Sequence, residues 1–314
     1  MGSAGRPGAM SARPVRPYFW MLGSAASFAT MGALSRLLAV SSDWRFLALV
    51  RAALMLLFAG IIAAGSRTPF SLVATPILWM RSLVGSLSMI CTYYTLTHDL
   101  PFAEATTLIK SYPIWVALLS WLVLRDRPSL KVWIAILAGA AGVAAISQPH
   151  FSHASLTLAI GVLSAMCTAV VMLGLNRLST IEPRAIVLHF ALVSTVAMGA
   201  VYLLTAPKTT IGAFTSTRGL LMLLAMGVLG TVGQIALTKA FAFGDPAKVS
   251  VVGLSELIFG VIYDRVLWDR RFGAVTLAGI ALVAAPTAWL LATSRRPRGG
   301  SPPPLEASAP AEAP

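Results

Sequence analysis

Residues 156–175 read LTLAIGVLSAMCTAVVMLGL, an unbroken run without a charge. A hydrocarbon layer about 30 Å thick takes about 20 apolar residues of helix to cross. Only a helix or a closed barrel can cross it with every backbone polar group satisfied. The run therefore reads as a transmembrane helix. Outward from it, toward the N-terminus, lie five comparable stretches: Phe19–Ala39, Phe46–Ala64, Ile77–Leu96, Ala103–Leu124 and Leu130–Ser147. Toward the C-terminus lie Ala185–Leu204, Leu220–Phe241, Val249–Val266 and Gly273–Leu291. These are spans 1 to 10 in chain order, with residues 156–175 as span 6. The connections hold turn chemistry: Ser41-Ser42-Asp43, Ser66-Arg67-Thr68-Pro69, Arg127-Pro128-Ser129, Gln148-Pro149 and Gly244-Asp245-Pro246. Span 1 is too long for a signal-peptide core and lacks a convincing cleavage site, so it counts as a span.

Composition agrees. Of 314 residues, 57% are hydrophobic and 11% charged, against about 25% charged in a soluble domain; the mean hydropathy is +0.80. A net charge of +13 on a soluble chain would point to nucleic acid. Here the charges sit between apolar segments and in the tails, so they read as topology signals and contacts with the lipid bilayer. No nucleic-acid partner is expected. Residues 1–17 and 295–314, rich in Gly, Ala, Pro, Ser and Arg, are predicted to be disordered tails.

With the N-terminus placed in the cytoplasm, fourteen Lys and Arg fall inside and seven outside. That bias predicts a multi-pass protein of the inner (cell) membrane with both termini cytoplasmic. The Arg265–Arg271 cluster is the main dissent.

The two halves echo one another. Ser35-Arg36-Leu37 closes span 1 and Asn176-Arg177-Leu178 closes span 6. Asp43-Trp44-Arg45 opens span 2 and Glu182-Pro183-Arg184 opens span 7. Asp126-Arg127 follows span 4 and Asp269-Arg270 follows span 9, offset by 143. Five spans per half is odd, so the second half must enter from the opposite face. The fold predicted is an all-α integral membrane protein of ten helices in two inverted five-helix repeats, residues 18–147 and 154–293. Such repeats place a binding site near the midplane between halves that rock.

The stretch Leu96-Thr97-His98-Asp99-Leu100-Pro101-Phe102-Ala103-Glu104-Ala105, running on to Arg125-Asp126-Arg127-Pro128, resembles the drug/metabolite transporter superfamily, in particular its EamA-type members. Arg51 after Leu49-Val50, and Ala140-Ala141-Gly142-Val143, carry the same resemblance. It implies a ten-helix basket whose central cavity is lined mainly by spans 1, 3, 4, 6, 8 and 9. The family's usual Gly-Glu after spans 4 and 9 is replaced by Arg125-Asp126 and Trp268-Asp269. Span 9 also carries Glu256 where a small or apolar residue is expected.

An ionisable side chain deep in a span costs about 2.5–3.5 kcal/mol on insertion scales, which makes it a functional candidate. Glu256 sits near the centre of span 9, among Val252, Gly253, Phe259, Gly260 and Tyr263. Loss of water disfavours the charged carboxylate, so Glu256 can serve as a proton carrier or hold a cationic group. Its structural alternative is partnership with a buried lysine. Lys110 in span 4 shares a polar stripe with Thr106 and Thr107, and Ser111-Tyr112-Pro113 follows. It can bind a carboxylate or phosphate, pair with Glu256, or snorkel outward. Pro113 is a kink or gating element that frees a backbone carbonyl. Tyr112 is a candidate for stacking on a ring, with ordinary packing favoured.

Arg51 in span 2 reads chiefly as a snorkelling anchor and secondarily as a substrate contact. Lys239 and Arg81 lie near cytoplasmic ends and also read as snorkelling. Gln234 and His189 are lesser candidates; a lone histidine in a span is usually a hydrogen-bonded core residue, though it can relay protons. Asp126 and Asp269 read as caps of the following helices or partners of nearby arginines. His150 and His153 lack further ligands, so no metal site is expected. No cofactor motif is present, and no Gly-x-x-x-x-Gly-Lys-Ser/Thr loop for ATP.

The function expected is a secondary active exporter of a small polar or amphipathic metabolite, such as an amino acid or organic anion. It would work by alternating access, with Glu256 as the proton-coupling group and a homodimer left open. The alternatives are an intramembrane lipid- or isoprenoid-modifying enzyme, disfavoured for lack of a catalytic constellation, and a non-transporting scaffold.

Overall fold

The computed structural model describes residues 15–66, 75–97, 102–125, 127–148, 156–205 and 214–294. The expected tails, apart from residues 15–17 and their neighbours in helix one, lie outside these residues. So do the turns at Arg67-Thr68-Pro69 and Pro149, and Asp126, His150, His153 and Lys208. All regular structure described is helical: α1 (Arg16–Leu38), α2 (Trp44–Gly65), α3 (Pro76–Thr97), α4 (Phe102–Ile109), α5 (Tyr112–Leu124), α6 (Leu130–Ser147), α7 (Leu156–Arg177), α8 (Pro183–Thr205), α9 (Thr217–Phe243), α10 (Pro246–Gly253), α11 (Ser255–Trp268) and α12 (Ala274–Ser294). Among the described residues these make ten crossings, because α4 with α5 and α10 with α11 each form one interrupted span.

Eight crossings are apolar enough to be read as spans from composition alone. The other two, α1 and α3, are equally long but more polar. Their polar residues face other helices. On α3, Ser88 Oγ meets Thr168 Oγ1 at 2.8 Å and Thr92 Oγ1 meets Ser164 Oγ at 2.7 Å, both on α7. On α1, Ser24 Oγ donates to the Gly233 carbonyl of α9 at 2.9 Å. Side-chain hydrogen bonds of this kind hold helices together where lipid offers no hydrophobic drive.

Packing follows the repeat. The pairs α1–α9 and α3–α7 correspond under exchange of halves, as do α1–α11 and α5–α7, and α2–α9 and α3–α8. The pairs α2–α8 and α6–α12 lie on the pseudo-twofold itself. In the last of these the backbones touch: a Cβ on Gly142 would come within 2.8 Å of the Gly279 carbonyl oxygen.

One correspondence is broken. α5 packs on α10, whereas α4 and α11 share no comparable interface. The main core lies on the side of the α5–α10 contact, which is also the side of both termini, and joins Tyr18, Met21, Tyr112, Val116, Phe241 and Val249.

Each interruption has a local cause. Pro113 is the second residue of α5 and has no N–H for the Ile109 carbonyl, so the helix re-forms one turn on. The Ser111 N–H and Oγ both turn back to the Leu108 carbonyl, at 3.1 and 2.6 Å. At the break in the ninth span there is no proline. The Leu254 N–H bonds back to Val251 and the Leu257 N–H to Leu254, a tightening of the helix over one turn. The sequence reading of spans 4 and 9 as continuous helices is corrected here.

Candidate functional site

The two interruptions face each other. Lys110 lies in the turn between α4 and α5, and Glu256 is the second residue of α11. Lys110 Nζ and Glu256 Oε2 are 2.7 Å apart, and the side chains are 16% and 29% exposed. The bridge ties one half of the molecule to the other at mid-span. Among the alternatives read from the sequence for these residues, the structure contains their mutual pairing. Removing one member of such a pair leaves a poorly solvated charge, at a cost of about 3–5 kcal/mol for a fully buried case; partial exposure places this pair below that.

Toward the termini the pair is closed off. Tyr112 is buried and its hydroxyl donates to the Ser250 carbonyl at 3.2 Å. The same hydroxyl sits where a side chain on Gly253 would have to go, with Met21 beside it. Glycine at 253 is what lets α5 and α10 meet. Tyr112 therefore lies in the closure beneath the pair. Further toward the termini, a cavity of about 210 Å³ lies between Ser129 and Arg127 on one side and Asp245 and Lys248 on the other. Asp245 accepts from the Ala247 and Lys248 amides at the start of α10 and pairs with Lys248 Nζ at 2.7 Å.

Away from the termini α4 and α11 stand apart, and the pair remains partly exposed in the cleft between them. Gly260, one turn beyond Glu256 on α11, has empty space where a Cβ would project. The wall formed by α1 and α11 is braced. Thr30 Oγ1 and Tyr263 Oη are 2.6 Å apart, and Asp264 binds both Arg36, at 2.9 Å, and Arg270, at 3.2 Å. Arg36 also lies over the Trp268 ring at 4.4 Å. Much of the Arg265–Arg271 cluster is thus paired with local acids. Asp269 caps the end of α11 in a left-handed conformation (φ 47°) and pairs with Arg265, so it serves the helix behind it and not the one ahead. Arg125 takes the same conformation after α5 (φ 54°), where the family pattern has glycine.

The remaining candidates lie apart from the pair. Arg51 points between α2, α3 and α9: its Nη1 lies 3.5 Å from Tyr93 Oη, and its Nε is buried 3.7 Å from the Cβ position of Gly230. It does not reach outward to headgroups. Gln234 is buried on α9 beside Gly233, which accepts from Ser24. His189 is wholly buried on α8 and shares a 2.8 Å hydrogen bond with Ser82 of α3. Lys239 lies over the Trp20 ring at 4.4 Å. Arg81, read from the sequence as snorkelling, does not snorkel: it is completely buried, under the Phe190 ring at 4.0 Å. The signal was the polar stripe Ser82, Ser86 and Ser88 beside it, which marks this part of α3 as facing protein.

The EamA-like transporter family model fits the chain twice, once over each repeat, at residues 15–148 and 155–292. The chain belongs to the EamA-like transporter family. It is 28% identical over 279 residues to the pseudopaline exporter of Pseudomonas aeruginosa, covering 87% of this chain and 94% of that protein. It is 26% identical over 215 residues to the riboflavin transporter of Vibrio cholerae, covering 65% and 69%. A mouse relative, solute carrier family 35 member G1, is 25% identical over 239 residues, covering 71% and 63%. A solved crystal structure superposes with a TM-score of 0.68 at 17% identity, covering 86% of this chain and 96% of that one, which speaks to the fold alone. As an EamA-like protein the chain is a multi-pass membrane transporter and not an enzyme.

Proposed function

We propose that this EamA-like transporter is a secondary active exporter of a small solute carrying a carboxylate or other anionic group, working by alternating access in the inner membrane with both termini in the cytoplasm. The Lys110–Glu256 bridge at the floor of the cleft carries this reading. An anionic group entering the cleft competes with Glu256 for Lys110. Once displaced, Glu256 is left without its cationic partner and can be neutralised by a proton. A solute that also bears an ammonium group can instead satisfy Glu256 directly. The pair thus links solute charge to proton occupancy without further machinery. Opposed repeats supply the motion: the α5–α10 closure and the α4–α11 cleft exchange roles when the halves rock. The name of the Pseudomonas relative supports export as the direction.

The test is flux in proteoliposomes over a panel of amino acids and organic acids, with and without an imposed pH gradient. The expected result is a flux that responds to the gradient in the native protein. In Glu256→Gln, which still inserts, that response disappears. A gradient response unchanged by the substitution removes the coupling role of Glu256.

A further inference from the structure

Arg81, five residues into α3, has no exposed surface. Its Nε, Nη1 and Nη2 all lack hydrogen-bond partners. The Phe190 ring of α8 lies 4.0 Å from the guanidinium carbon, and Gly174 of α7 flanks the stem. His189, adjacent to Phe190, is equally buried. Its Nδ1 is engaged by Ser82 at 2.8 Å while its Nε2 has no partner. In the tautomer that carries its hydrogen on Nε2, the Ser82 hydroxyl donates to Nδ1 and Nε2 is a second unmatched donor.

An aromatic face offsets only part of what a cation loses on leaving water. The acids among the described side chains do not supply the rest. Every acid whose side chain is described is committed elsewhere: Asp43 at the start of α2, Glu182 with Arg184, Asp245 with Lys248, Glu256 with Lys110, Asp264 with Arg36 and Arg270, and Asp269 with Arg265. What the two groups lack is negative charge with lone pairs.

We propose that Arg81 and His189 form a buried anion site where α3, α7 and α8 meet, separate from the Lys110–Glu256 pair, and that it takes a compact monovalent anion, whether a halide or a carboxylate group. The guanidinium supplies charge and forked donors, Nε2 of His189 a third direction, and Phe190 closes one face. An occupant would fix α3 to α8 and so set the packing of a cleft-lining helix against the periphery of the bundle.

The experiment follows the unfolding midpoint of the full-length protein in uncharged detergent. Chloride or formate replaces bulky gluconate at constant ionic strength. A ligand that binds only the folded state raises the midpoint saturably with its concentration. The site predicts such a rise, its loss in Arg81→Gln, its weakening in His189→Phe, and its retention in Lys110→Ala. Formate acting without chloride assigns a carboxylate group as the ligand; both acting assigns any compact anion. Should Arg81→Gln fail to fold, bromide diffused into crystals of the unaltered protein is to be found by anomalous scattering beside the guanidinium. No saturable response in the unaltered protein, a response that survives both the arginine and histidine substitutions, or bromide located elsewhere overturns the site.

Discussion

The fourth and ninth spans are the same device built twice from different chemistry. Both break near the middle, and both contribute one half to the contact between repeats. The fourth breaks because Pro113 cannot donate to the Ile109 carbonyl; the ninth tightens around Leu254 without a proline. Shifted by the offset of 143 that relates Asp126 to Asp269, Lys110 falls on Gly253 and Pro113 on Glu256. The repeat duplicates the break but not the charge. Lys110 and Glu256 are not counterparts, and they meet because the pseudo-twofold axis brings the two breaks together. The packing differs as well: α5 and α10 are pressed together through Tyr112 and Gly253, while α4 and α11 stand apart. Backbone symmetry with chemical asymmetry gives a transporter two access states that need not be equal in energy.

The strongest way to break this comparison is to separate the charges. Lys110→Ala or Glu256→Ala alone leaves the partner charge stranded, at about 2 kcal/mol of folding stability after allowing for its partial exposure, with transport lost. The reversed pair, Lys110→Glu with Glu256→Lys, is expected to recover most of that stability. Chemical unfolding of the solubilised variants measures both, and a reversed pair no more stable than the single variants means that the two breaks do not depend on each other there.

A somewhat smaller effect is expected at the closure. Gly253→Leu drives a side chain into Tyr112 and Met21, an overpacking cost of about 1–3 kcal/mol, and should tip the protein toward opening on the termini side. Labelling sharpens this. Gly260→Cys should react rapidly with a hydrophilic maleimide and Ser250→Cys, which is wholly buried, slowly. Adding Gly253→Leu should narrow or reverse that ratio. An unchanged ratio means that glycine at 253 does not hold the closure.

The smallest effect concerns the residues that end the interrupted spans. Arg125 holds a left-handed backbone that glycine adopts without penalty, so Arg125→Gly should stabilise the protein by about 1 kcal/mol. Asp269→Gly should gain less, because it gives up the pair with Arg265. Equal gains at both positions would show that the Arg265 pair contributes nothing.

How much was legible beforehand varies with the residue. The ten crossings and the doubled architecture came from run length, from parity and from short echoes such as Asp126-Arg127 and Asp269-Arg270. Lys110 and Glu256 stood out because a charge far from both ends of a span has no route to water. The interruption at Pro113 was half visible, as a kink; the one at Leu254 left no mark, because no residue there forbids a helix. Arg81 and Arg51 were misjudged for a common reason. Position along a span does not tell which way a long side chain points, and both turn inward between helices.

By itself, then, the sequence determined that the chain lives in a bilayer and folds as two opposed halves, since apolar runs of this length cross lipid as helices and an odd count inverts the repeat. Tertiary structure alone decided which charges meet, which side is closed and which arginine is completely buried. Those outcomes depend on the rotation of each helix about its own axis, and that rotation is set by neighbours hundreds of residues away in the chain.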